Sequence, residues 1–348
     1  MIQNRLRPAP RCLPLVWLLI FGFGQATPWV KVPLFAQTSS YILIAAVLSN
    51  KRYVVGQANP GSGLFVSGAQ TPQWQNRAFP NIRMFDLEIL PEAENGLIYT
   101  ANGNGVMVSR DFGKSWRVTT GWRITEVLKI VALPESPETV YIGTAYGAFR
   151  SNDFGETWRM LRSRFVYALH IDNTDRNRIF IGEEDGLFLS RDGGKTFDRA
   201  KGLNAPVLTV AQHPRDPRVL FAGTEDHGIF RSDDRGLSWK PVSSGSVPGA
   251  TVYEIIFLPR HPSTLLAASF AQGVLISKND GQSWQKYQSG LQKIPVSCMT
   301  VHPENPEWIF IGTLNHGVFR STDGGRTWQP FGLSGAQVME LEIHPAPR

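Results

Sequence analysis

Short apolar runs broken by polar turns dominate the chain. In one stretch residues 207–211 lead to His213-Pro214, residues 219–223 follow a turn, and residues 228–231 follow a short loop. Runs of this length, rich in β-branched and aromatic residues and bounded by Gly, Pro and Asp, predict strands. The first run recurs with a His-Pro or Leu-Pro ending at Leu90-Pro91, Leu133-Pro134, Leu258-Pro259 and His302-Pro303, and loses its proline near Ile171-Asp172.

An octapeptide repeats after the third run of each unit. It reads Ser-Arg-Asp-Phe-Gly-Lys-Ser-Trp at 109–116 and Ser-Thr-Asp-Gly-Gly-Arg-Thr-Trp at 321–328, with copies at 151–158, 190–197, 232–239 and 277–284. A decayed copy, Ser-Gly-Ala-Gln-Thr-Pro-Gln-Trp, stands at 67–74. Successive copies start 39 to 45 residues apart, the length of a four-stranded propeller blade. Seven copies predict an all-β chain, a single seven-bladed β-propeller over residues 37–348.

The octapeptide reads as a hairpin turn. Its Asp (Asp111, Asp153, Asp192, Asp234, Asp323) is a short acceptor for backbone N–H groups of its own turn. Its Gly supplies the positive φ that closes the turn. The closing aromatic is large enough to fill the wedge between blades, and six of the ten tryptophans stand at that position. A last first-strand run at 338–345 has no octapeptide after it, whereas residues 53–56 and 63–66 precede the first octapeptide. The C-terminal strand is therefore expected to enter the N-terminal blade and close the ring, which removes two open edges. Residues 41–49 are then surplus, competing for the same slot or lying outside it.

Counting back four residues from each His-Pro or Leu-Pro gives one position per blade: Asp86, Lys129, Tyr167 by analogy, Thr209, Glu254, Cys298 and Glu340. Their neighbours Leu87, Ile130, Val210, Ile255, Met299 and Leu341 are apolar, so a period of two turns the first set into the central tunnel. Glu88 and Glu342 add acid, predicting a mildly acidic, water-filled tunnel, with a bound cation as the alternative. The recurring His213, His302 and His344 read as blade-turn residues; no metal and no cofactor is expected.

Charge narrows the partners. Residues 1–36 carry Arg5, Arg7, Arg11 and Lys31 and no acid, and without them the formal +6 falls to +2. No basic stripe remains to neutralise phosphates, so nucleic acid is excluded. The same segment reads as an export signal: three arginines, an apolar stretch from Leu13 to Gly24, and a cleavage point after Ala26 or Ala36. Left uncleaved it is an N-terminal anchor, the one route to a membrane. A periplasmic or extracellular location follows. Cys12 lies in this segment, leaving Cys298 unable to form an internal disulfide.

The octapeptides resemble the Asp-box, or BNR, repeat over residues ~50–345. That family includes sialidases, some xyloglucan-active glycosidases, the sortilin luminal domain and the photosystem II stability and assembly factors. A single ring with an export signal looks most like the assembly factors, and the resemblance implies a scaffold that binds protein. The early Arg-Ile-Pro signature of sialidases is missing, since Arg83 precedes Met84-Phe85 and Arg77 precedes Ala78-Phe79. No catalytic residues are assigned. The expected partner face lies opposite the boxes, with Trp122, Arg123, Tyr146, Arg162 and Arg164 on one side and Glu183, Glu184, Asp185, Glu225 and Asp226 on the other. Arg and aromatic residues are the side chains most used as interface anchors. A glycan-active propeller, hydrolase or lectin, is the alternative reading; it requires paired carboxylates across about 5–10 Å.

Overall fold

Each repeat folds into one antiparallel sheet. A computed structural model describes residues 41–49, 61–78, 82–90, 96–242, 248–287 and 289–346, and the chain from Leu34 to Arg348 forms one compact unit. Among the described residues there are seven four-stranded sheets and no helix. The expected export signal or anchor and residues 53–56 lie outside the described residues. None of the described residues forms a helix long and apolar enough to cross a membrane.

The inner strands are Gln337–Pro345, Met84–Leu90, Val127–Leu133, Ala168–Ile171, Val207–Gln212, Val252–Leu258 and Val296–Val301, in blades 1 to 7. The second strands Leu97–Asn102, Ile179–Glu183, Leu220–Thr224 and Ile309–Thr313 are buried at every residue, because neighbouring blades cover both faces. This burial explains their continuous apolar reading. Outer strands run two to four residues and are mostly exposed, too short to template pairing with another chain.

The core lies between blades. Trp158 packs with Val108 of blade 2 and Phe149 of blade 3, and Trp239 with Phe180 of blade 4 and Phe230 of blade 5. Trp328 does the same between Ile276 of blade 6 and Phe319 of blade 7. Burying one such indole removes ~200 Å² from water, about 5 kcal/mol before entropy is counted. Blades also touch through backbone. A Cβ on Gly182 would stand 2.4 Å from the Val207 carbonyl oxygen, and one on Gly223 2.7 Å from that of Val252. Glycine is therefore required where the second strand meets the next blade.

Ring closure is richer than expected. Gln337–Pro345 is the inner strand of blade 1, but Tyr41–Ser49 is not surplus: it is the second strand of that same sheet. It pairs with the closing strand (Ala45↔Leu341) on one edge and with Gly63–Gly68 (Ile44↔Val66) on the other. Its unbroken apolar run matches second strands such as Leu97–Asn102 and Ile309–Thr313, which are buried on both faces.

The box turns share one hydrogen-bond pattern. In the fourth blade Ser190 Oγ donates to Asp192 Oδ1 at 2.8 Å and accepts from the buried Gly194 N–H at 2.8 Å. Asp192 accepts from Lys195 and Thr196 N–H and from the Thr196 hydroxyl. In the sixth blade Asn279 takes the Asp position, and its Nδ2 donates to Ser283 Oγ. Two consecutive residues adopt positive φ, not the glycine alone. The residue before it does so even when it is Phe112 (54°), Phe154 (59°) or Arg235 (61°), a conformation that disfavours bulky side chains.

The His-Pro turns have an equally local cause. His213 Nδ1 accepts N–H groups from Arg215 and Asp216, and His302 Nδ1 those of Glu304 and Asn305. Where the repeat loses His-Pro, Asp172 Oδ1 accepts from Thr174 and Asp175 instead.

Candidate functional site

The boxes and the turns after the inner strands occupy one face. The opposite face carries the loops between second and third strands and those between blades. Inner strands run from that face into the tunnel.

Strict alternation fails at the mouth of the tunnel for a physical reason. In six of the seven inner strands the ladder skips one residue: Phe85, Leu128, Leu208, Tyr253, Ser297 and Met339 have no paired Cα. Each skip is a β-bulge, which re-aims side chains, and each precedes a residue of the expected tunnel ring. The bulged side chains, with Phe165, Tyr167 and Leu314, line a bowl of about 290 Å³ at the mouth. Nothing in the hydrophobic pattern marks a bulge, so sequence reasoning missed this bowl. The signal in retrospect is an unbroken pair, such as Phe85-Asp86 or Tyr253-Glu254, where a strict alternation would bury the first member.

Below the bowl the ionisable residues meet. Asp86, Lys129, Thr209 and Glu340 line a second cavity of about 630 Å³ together with Glu88, His170 and Glu342. Asp86 is buried and accepts from its own strand (Leu87 N–H, 3.0 Å) and from the next blade (Ile130 N–H, 3.1 Å), with Lys129 Nζ 3.9 Å away. Glu254 accepts from Met299 N–H of the following blade at 2.6 Å. Burial pushes the Glu254 carboxyl up to about 7, only partly offset by that N–H and by Lys129. Burial, then Glu254 and Asp86, hold Glu340 well above the ordinary range. Burial likewise lifts Glu88, aided by Glu342. Desolvation alone would lower Lys129, but Asp86, Glu340 and Glu254 outweigh it and keep its ammonium charged. Tyr167 sits in the bowl above this layer, and Cys298 is buried against Val338 in the blade core. Among the described residues no group of three or more His, Cys, Asp or Glu is arranged to hold a metal ion.

The loop face divides its charged residues into two kinds. Trp122 is 84% exposed with Arg123 stacked on its ring at 5.1 Å, Tyr146 is 60% exposed, and Arg164 is exposed beside Phe165. Arg162 and Glu183 are withdrawn from this surface. The Arg162 guanidinium forks onto the buried Glu183 carboxylate and lies 3.8 Å above the Phe188 ring. Glu184, Asp185, Glu225 and Asp226 are exposed. Asp226 takes a positive φ and bonds Thr251 through both its N–H and its carboxylate.

Comparison with known proteins follows the fold. Residues 319–330 match the BNR/Asp-box repeat and residues 229–242 the BNR-Asp box repeat, so the chain carries repeats of this kind. Over 196 residues it is 26% identical to the xyloglucanase Xgh74A of Acetivibrio thermocellus, covering 48% of this chain and 20% of that protein. Over 69 residues it is 33% identical to vacuolar protein sorting/targeting protein 10 of Fusarium vanettenii, covering 20% and 5%. Among solved structures, the GH74 enzyme of Niastella koreensis aligns with TM-score 0.60 at 17% identity, over 71% of this chain and 44% of that one. YCF48 bound to a D1 peptide aligns with TM-score 0.56 at 17% identity, over 76% and 86%. At these identities the likeness shows the fold. The chain spans about a fifth of the length of the xyloglucanase it matches.

Proposed function

We propose that this chain is an exported, non-catalytic scaffold that holds a protein partner on the face opposite the boxes. The observation that carries this reading is the exposed aromatic and arginine set on that face, Trp122 with Arg123, Tyr146 and Arg164. Large exposed aromatics on a soluble surface mark contact sites, because leaving them in water forfeits their burial energy. A neighbour of similar size and fold, YCF48, carries a bound peptide, which supports protein binding over catalysis.

The second reading, a glycan-active propeller, is favoured by the xyloglucanase matches. Against it, Glu183 of the acidic run is spent on Arg162, and Asp226 on Thr251. The two readings separate in one experiment. The full chain is used to capture partners from its source extract, beside assays for hydrolysis of xyloglucan and chromogenic glycosides. Trp122→Ala with Arg164→Glu should lower capture at least tenfold at low salt while the melting temperature holds. Glycoside hydrolysis that disappears in Glu184→Gln would overturn the scaffold reading.

A further inference from the structure

The bowl at the tunnel mouth is a built feature that the exposed anchors do not account for. Six bulges, one per inner strand in all but blade 4, aim Phe85, Leu128, Leu208, Tyr253, Ser297 and Met339 to one place. Five of these are large apolar or aromatic side chains held half-exposed, next to Phe165 and Tyr167, whose tilted rings lie 4.5 Å apart. Lys129 is the one charged residue of the lining, and it is paired below with Asp86. At about 290 Å³ the bowl falls just under the range of small-molecule sites, which span ~300–1,000 Å³. It fits one or two apolar side chains better than a cofactor.

The rim supplies direction. Beyond burial, Glu184 and Glu225 lie near enough to the Tyr167 hydroxyl to raise its pKa, and Glu225 and Asp226 do the same for Tyr253. Glu225 N–H donates to the Pro206 carbonyl two residues before Leu208, and Asp226 bonds Thr251 two residues before Tyr253, so the acidic arc borders the bowl. Among the described residues Glu184, Asp185, Glu225 and Asp226 make no ion pair, whereas Arg162 and Arg83 on the other side are neutralised by Glu183 and Glu126. Arg164, next to Phe165, is the unpaired base beside the bowl, so the four unpaired acids leave the unmatched charge there net negative.

We propose that the bowl seats the apolar side chain of an extended peptide segment of the partner, with a lysine or arginine of that segment lying over Glu184 and Glu225. The proposal rests on the partner-binding reading and names the chemistry of the partner. Apolar contact in the bowl sets the off-rate; the rim charges set the on-rate and make binding salt-dependent.

A displayed library of random decapeptides, panned on the full chain, tests it. Selected peptides should share an aromatic or Leu/Met/Ile residue with Lys or Arg within about four positions, a spacing set by ~3.3 Å per extended residue. A labelled peptide carrying that consensus should bind at least tenfold more tightly than its version with Glu in place of the basic residues. Glu184→Lys with Glu225→Lys, both on exposed loop positions, should invert that order with an unchanged melting temperature. Tyr253→Ser should weaken both peptides. An acidic consensus, no enrichment over background, or an order unmoved by the double reversal overturns the proposal. If any of these occurs while Trp122→Ala with Arg164→Glu still abolishes partner capture, the scaffold reading stands and the bowl proposal alone falls.

Discussion

The box turns and the tunnel lining use carboxylates in opposite ways. In a box the Asp sits in water, where it gathers donors from its own turn. The Thr157 hydroxyl and N–H and then the Ser151 hydroxyl draw Asp153 down to about 2. In the tunnel the carboxyls lie behind bulged side chains and close to one another, and burial lifts Glu254, Glu340, Glu88 and Glu342. The same carboxyl group is thus a local turn device at one face and a desolvated element with a raised pKa on the axis. Hydrogen bonds lower a carboxyl where donors are plentiful; desolvation raises it where they are few. Asp86 bridges the two cases, being buried like the glutamates yet hydrogen-bonded like a box aspartate.

Substituting Asp86 should break that comparison most sharply. Asp86→Ala leaves two inter- and intra-blade N–H groups and the Lys129 ammonium without their acceptor, a loss on the order of 3 kcal/mol by denaturant titration. An unchanged midpoint would show that the tunnel ring plays no part in joining blades 2 and 3.

Within the boxes the serine, not the aspartate, occupies the buried position. Ser190 is fully buried and is the acceptor for the buried Gly194 N–H, whereas the donors to Asp192 reach solvent. Ser190→Ala should cost about 2 kcal/mol, and Asp192→Ala less, because water replaces the lost acceptor. Asn279→Ala should cost least of the three. The reverse ranking by thermal melting would return the box to an aspartate-centred device.

The pH dependence separates the two regions. A carboxyl raised in the folded state favours folding below its unfolded value and loses that contribution as pH climbs through the folded value. For Glu254, with an ordinary value of 4.5 and a folded value of about 7, stability should fall between pH 5 and 7 by up to about 1.4 kcal/mol per pH unit. Glu254→Gln should flatten this slope. The box aspartates act oppositely, their contribution being present above about pH 4 and lost only in stronger acid. His170, lowered to about 4 by desolvation, adds an opposite slope below pH 6.5. The comparison is therefore with the variant: a parent profile that falls no more steeply from pH 5 to 7 than that of Glu254→Gln would refute the tunnel assignment.

The blades, their number and the box geometry were legible in the chain because their causes are local. A turn needs its acceptor and its positive φ within a few residues, and an inter-blade aromatic recurs at a fixed offset from both. Counting from His-Pro or Leu-Pro reached Asp86, Lys129, Thr209 and Glu340 in the tunnel cavity because those turns are equally local. The same count put Tyr167 and Cys298 there, which the fold places in the bowl and in the blade core. The partner face was less legible. Arg162 and Arg164 look alike in sequence, yet one is bound to Glu183, 21 residues away on the next blade, and the other faces solvent.

By itself, then, the sequence determined the repeat, the strand polarity, the hairpin chemistry and the entry of the C-terminal strand into the first blade. Tertiary structure alone decided three things. Tyr41–Ser49 became a second strand because only a slot covered on both sides can bury its unbroken apolar run. Six bulges turned residues one position early into the mouth, since a bulge is a property of the ladder and not of either strand. The tunnel glutamates are raised above the ordinary carboxyl range because chain segments far apart in sequence converge on one axis, and desolvation depends on what surrounds a group in space.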